Sequence, residues 1–238
     1  MHEAQMRLLR CYDHAFRIKN EERDQLEQLQ SGTSINPRKL PYVMNLNADV
    51  EGFVMTATQY LRDLVPAFNE LWGTSLTPEA STFWRKHASQ SDAEKCITRT
   101  FGSDHPLTSF LGTNEFWIAE LIKRRNAVEH PGGGSGWLVL QNFRIVGPTL
   151  AHPAWGRRTK TAKPVLEPVV PALEQLLSRL LSFGEELFAL AVMTKPRWEH
   201  VVVREIPERA RNPACPIRFR PELNKQMSAR LERAPSEH

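Results

Sequence analysis

Apolar positions return at helical intervals along most of this chain and break off at a few sharply marked places. From His2 to about Leu29, Met6, Leu9, Tyr12, Ala15, Phe16, Leu26 and Leu29 recur among many charges, which predicts a first helix interrupted or weakened near Lys19 and Asn20. Ser31-Gly32-Thr33 ends it, and Asn36-Pro37 with Leu40-Pro41 predicts a stiff extended connection. Between Asn47 and Trp72, positions such as Val50, Phe53, Val54, Ala57, Leu61, Leu64 and Phe68 line one broad face of a second helix, in which Pro66 predicts a kink or break. Thr77-Pro78 reads as an N-cap followed by proline at the first helical position, opening a shorter helix from Glu79 to about His87. Another short helix spans Asp92 to Arg99. Periodicity then returns with Phe110, Leu111, Phe116, Trp117, Ala119, Leu121 and Ile122 and runs to Arg125. The clearest helix is the last, about Pro168 to Val192, with Val169, Leu173, Leu176, Leu180, Phe183 and Leu187 on a wide apolar face.

Between the last two helices the chain changes character. Pro131-Gly132-Gly133-Gly134-Ser135-Gly136 cannot continue a helix and is expected to be mobile. Trp137 to Val146 is rich in branched and aromatic residues, the pattern of one strand or of a small hairpin turning near Gln141-Asn142. A basic loop, Arg157 to Lys163, follows. Past Lys195-Pro196, Val201-Val202-Val203 predicts a short strand and a candidate partner for the 137–146 segment. The expected fold class is therefore mainly α: a bundle of four or five helices with a small β insertion at about 137–146 and a short C-terminal strand at about 200–205. In domain terms, 1–195 forms the helical unit, its insertion occupying about 132–165. Residues 196–238 form a basic Pro/Arg-rich extension, either packed on that unit or partly flexible.

At 238 residues the chain is long enough to bury a substantial core. Cys11, Cys96 and Cys215 lie far apart without a CxxC or Cys/His ladder, which argues against a disulfide framework or a structural zinc site. No metal or cofactor is expected. The charged N-terminal region lacks the apolar core of a secretion signal, and no apolar run approaches the roughly 20 residues of a membrane span. The expected setting is cytoplasmic, with no membrane partner.

Net charge is +4, but its distribution says more. Residues 1–122 carry 12 Lys/Arg against 16 Asp/Glu, whereas 123–163 carry 8 against 1; a second basic excess, 10 against 6, falls in 195–238. Clustered cations of this kind suit a polyanion such as RNA, because they release counterions condensed on phosphates. Ordinary solvated basic loops have the same composition. Walker loops, GxGxxG, GxSxG and HExxH are all absent, so nucleotide hydrolysis, dinucleotide chemistry, serine hydrolysis and zinc proteolysis find no support.

The basic stretch opens on Arg125-Asn126-Ala127-Val128-Glu129-His130-Pro131-Gly132, at the close of an amphipathic run. An arginine followed at similar spacing by a histidine also occurs at Arg7 to His14 and Arg99 to His105. Only here does an asparagine follow the arginine and Pro-Gly follow the histidine. In this the chain resembles the HEPN superfamily, the helical domains of many prokaryotic toxin and defence ribonucleases. Their hallmark is an arginine, often followed by a polar residue, and then a histidine after four to six positions. The resemblance rests on about eight residues and a helical frame. It implies a HEPN-like bundle, a homodimer that brings two motifs into one cleft, RNA as substrate, and an antitoxin protein as a further partner. In toxins neutralised by nucleotide-transferring antitoxins a tyrosine lies two positions beyond the histidine; here that position is Gly132, so that mode of regulation is not supported.

RNA can be cleaved without a metal when its 2′-hydroxyl is deprotonated and attacks the adjacent phosphorus. The resemblance assigns His130 as general acid or base, Arg125 as the clamp on the developing charge and Asn126 as the positioning residue. Residues five apart on a continuous helix point about 140° from each other, so convergence requires His130 to leave helical dihedrals, which Pro131 favours. Lys123 and Arg124 extend a candidate phosphate-binding surface, Arg157, Arg158, Lys160 and Lys163 could grip RNA backbone, and Trp155 could stack on a base. Glu120 and Glu129 are candidate supports for Arg125. Two other accounts stay open: a non-catalytic HEPN-like module binding nucleic acid, a nucleotide or a protein through the same surface, and a helical scaffold in which Arg125 simply pairs with Glu129, an i,i+4 contact of about 0.2–0.5 kcal/mol.

Overall fold

A computed structural model describes residues 2–31, 40–84, 90–194, 200–211 and 218–225. Five helices dominate: α1 (His2–Gln30), α2 (Leu46–Trp72), α3 (Asp92–Phe101), α4 (Pro106–Glu129) and α5 (Val169–Thr194). Helix α2 is the hub, packing against α1, α4 and α5, while α3 lies on α4. Its Val50, Phe53, Val54, Leu61, Val65 and Phe68 are almost fully buried, as the apolar stripe requires.

Helix α1 runs unbroken past Lys19 and Asn20, because Ile18 and Glu22 on either side turn inward and are buried. Helix α2 likewise continues through Pro66, which is exposed, so the carbonyl freed by the missing amide can meet water. Ser91 caps α3 by accepting a hydrogen bond from the Glu94 amide at 3.2 Å. Pro106 opens α4, and His105 Nδ1 accepts from the Leu107 amide at 3.2 Å.

Of the helix expected over 79–87, the described residues form a short 3-10 helix, Ala80–Phe83, in place of a longer α-helix; residues 85–87 lie outside the described residues. Phe83 plugs the turn into an aromatic cluster, 5.5 Å from Phe68 and 5.3 Å from Phe183, ring centre to ring centre. Helices α2 and α5 meet closely where Tyr60 Oη donates to the Leu180 carbonyl at 3.0 Å, and a Cβ at Gly184 would lie 2.2 Å from that hydroxyl oxygen.

The insertion is larger than 137–146 and differently paired. Strand β1 (Trp137–Gln141) does not turn back near Gln141; it pairs antiparallel with β4 (Ala154–Arg158), with Leu140 opposite Trp155. Between them β2 (Arg144–Val146) and β3 (Thr149–Ala151) form their own small hairpin, and β5 (Glu167–Pro168) adds to the outer side of β4 and leads into α5. The reason is visible at Asn142, whose side chain is committed elsewhere. Its Oδ1 accepts from the Val43 amide at 3.0 Å and its Nδ2 donates to the Val43 carbonyl at 2.8 Å, fastening the insertion to the segment before α2.

The C-terminal strand β6 (Val201–Glu205) pairs with β7 (Phe219–Leu223) and not with the insertion. Pro221 is tolerated because, among the described residues, β7 pairs with β6 alone and needs no second ladder. Arg218 fixes this hairpin to α5 through Glu185 at 3.1 Å and Glu186 at 2.8 Å. Among the described residues, no helix is long and apolar enough to cross a membrane.

Candidate functional site

The last turn of α4 carries Arg125, Asn126 and Glu129, and His130 is its C-cap. His130 has φ −130° and ψ 66°, outside the helical region, as expected of a residue before proline. Its amide still donates to the Asn126 carbonyl at 2.9 Å. The segment after it closes on itself: Gly133 N–H donates to the His130 carbonyl at 3.0 Å, Gly132 N–H to Gly136 O at 2.8 Å and Gly136 N–H to Gly133 O at 2.9 Å. The loop expected to be mobile is thus a hydrogen-bonded turn. Two of its glycines are required, since Gly132 and Gly136 have φ of 82° and 79° and a Cβ at Gly136 would strike the Arg158 carbonyl.

Glu129 organises the motif. One carboxylate oxygen receives Arg125 Nη2 at 2.5 Å, and the other lies 3.8 Å from His130 Nε2. Arg125 Nη1 donates to Asn126 Oδ1 at 3.1 Å. The His130 side chain is 74% exposed, against 28% for Arg125. Arginine and histidine therefore meet on a shared carboxylate, with the imidazole free on its solvent side.

Arg125, Asn126 and Glu129 also form one wall of a cleft of about 590 Å³. Helix α2 supplies Gln59 and Arg62 to the opposite wall, and the 79–84 segment contributes Glu79 and Trp84. None of these four was singled out from the sequence. Met55, Gln59 and Arg62 do follow one helical stripe, but nothing local links that stripe to a motif some sixty residues later. His130 does not line the cleft; it stands beyond Glu129.

The remaining candidates separate. Glu120 does not orient Arg125; it accepts from Lys123 at 2.7 Å and lies 3.8 Å from Arg157. Trp155 is fully buried, so it has no face to offer a base. Arg124 lies over the Trp155 ring, 4.2 Å from its centre, and ion-pairs with Glu167, so both residues fasten α4 to the sheet. Arg157, 20% exposed, donates to the Ser135 carbonyl at 3.0 Å. Arg158 sits over the Trp137 ring at 4.8 Å. Arg157 and Arg158 belong to β4 and not to a loop, whereas Lys160 and Lys163 project from the turn that follows and are exposed. Among the described residues, no three His, Cys, Asp or Glu side chains converge as a metal site would require. Comparison with models of known protein families, with curated proteins and with solved structures finds no match.

Proposed function

We propose that this protein is a metal-independent endoribonuclease of the toxin or phage-defence kind, acting as a homodimer with a HEPN-like site at the end of α4. The observation that carries this reading is the arrangement of Arg125, Asn126 and His130 around Glu129: a guanidinium on the wall of a polar cleft and, one carboxylate away, an exposed imidazole. Histidine is the side chain suited to exchange a proton near neutral pH, and arginine to stabilise charge on a phosphorane-like transition state. His130 takes the proton of the 2′-hydroxyl or returns one to the departing 5′-oxygen. One protomer offers one such imidazole, and a second copy supplies the other. Cleavage leaves a 2′,3′-cyclic phosphate and a 5′-hydroxyl.

The decisive assay incubates cellular RNA with the purified protein in excess EDTA, beside Arg125→Ala and His130→Ala. Cleavage that survives chelation, yields cyclic phosphate ends and disappears in both variants is the expected outcome. A well-folded dimer that leaves RNA intact rejects the reading. It would leave the second account, a non-catalytic module that binds nucleic acid, a nucleotide or a protein; in its favour, Arg125 is already held by Asn126 and Glu129, as in a helix end built for stability.

A further inference from the structure

The cleft beside Arg125 contains more than the motif chemistry requires. Trp84 lines it from the 79–84 segment while packing against the core, on a turn anchored by buried Phe83. Gln59 is half-buried on α2, and its amide has no hydrogen-bond partner among the described residues. Asn126 lines the cleft and spends its carbonyl oxygen on Arg125, which leaves its NH₂ group without a hydrogen-bond partner among the described residues. Arg62 adds a second guanidinium. An aromatic ring, an uncommitted amide and two guanidinium groups form a set that recognises a nucleobase and its phosphate, and the cleft volume lies within the range of small-molecule sites.

We propose that this cleft is a nucleobase subsite, taking one unstacked purine, adenine above the others, against Trp84 with its edge read by Gln59 and its phosphate held by Arg125 and Arg62. The inference rests on the ribonuclease reading for its substrate, an RNA strand, although its chemistry is that of any nucleotide. A carboxamide offers a donor and an acceptor side by side, complementary to N6 and N7 of adenine. Guanine presents two acceptors on the same edge and loses one of these bonds. The subsite would place the phosphate attached to that base at Arg125, and so select which linkage in the strand is cut.

The test uses the full chain and 2′-O-methyl RNA hexamers of each base, which lack the attacking hydroxyl and bind without being cleaved, together with adenosine monophosphate. Titration at low salt should show the adenine hexamer binding most tightly. Trp84→Ala should weaken it about tenfold, in line with the loss of one base stack, while Trp84→Phe keeps most of the affinity. Gln59→Leu, which leaves the fold and the stacking surface intact, should level the preference among bases. Hexamer affinity well above that of the mononucleotide assigns the site to a strand; equal affinity assigns the same site to free nucleotides. Hexamers and mononucleotide that fail to bind, or that bind Trp84→Ala and Gln59→Leu as they bind wild type, overturn the subsite. Binding that depends on both residues, in a protein that cuts no RNA, rejects the nuclease alone. Cleavage indifferent to both variants rejects the subsite alone.

Discussion

Arg125 Nη2 lies 2.5 Å from Glu129 Oε1, so the guanidinium proposed to meet a scissile phosphate is held by a carboxylate one helical turn away. A phosphate entering the cleft competes with that carboxylate. Glu129→Gln removes the charge and keeps the shape, and it should bind 2′-O-methyl RNA several-fold more tightly than wild type by calorimetry. The partly exposed pair contributes only about 0.2–0.5 kcal/mol, so the urea midpoint should hardly move. Weaker binding by Glu129→Gln would mean that the carboxylate positions Arg125 and does not restrain it.

Trp155 is a structural residue. Buried under Arg124 between α4 and the sheet, its replacement by alanine should cost about 3–5 kcal/mol in equilibrium unfolding. Trp155→Phe should lose less, and RNA affinity measured under folding conditions should stay near wild type. An affinity loss in Trp155→Phe without a stability loss would restore the stacking role expected from the sequence.

His105 links pH to the stability of α4. Burial holds its pKa below the ordinary imidazole value, and its Nδ1 must be unprotonated to accept the Leu107 amide. The neutral form therefore stabilises the fold, fully above the unfolded pKa of about 6.5, and this contribution is lost as pH falls below that value through the depressed folded pKa. His105→Asn retains a capping acceptor that does not titrate. Denaturation curves between pH 7.5 and about 5 should show a smaller loss of stability in the variant than in wild type; equal slopes would rule out His105 as the source.

The contact between α2 and α5 should tolerate no methyl group. Gly184→Ala brings a Cβ against Tyr60 Oη and should destabilise the protein by about 1–3 kcal/mol. Tyr60→Phe forfeits the bond to the Leu180 carbonyl, about 1 kcal/mol, but removes the clashing atom. The double variant should thus be more stable than the sum of the two single losses predicts, and strict additivity in thermal or urea unfolding would place the clash elsewhere.

The helices could be read from the sequence because their apolar stripes are long and their ends are marked by residues with local effects. Pro131 is the best case: it alone predicts that His130 leaves the helix, and the dihedrals agree. Pairing between strands could not be read the same way, since it depends on commitments made far away in the chain. Asn142 looked like a turn residue until Val43 claimed both ends of its amide. Trp155 sat among cations and suggested a surface, yet Ala154, Trp155 and Gly156 are all buried, a feature that the neighbouring charges concealed. The motif itself was legible, whereas its opposite wall was not, because Gln59, Arg62 and Trp84 reach the cleft only once α2 and the Phe83 anchor are packed.

The self-closed glycine turn has a mechanical consequence. With the His130 carbonyl bonded to Gly133, and Gly132 bonded to Gly136, which directly precedes β1, the end of α4 and the edge of the sheet are joined with almost no slack. A displacement of β1 is therefore passed to the end of α4, and to His130 there, through hydrogen-bonded backbone and not through a loose tether.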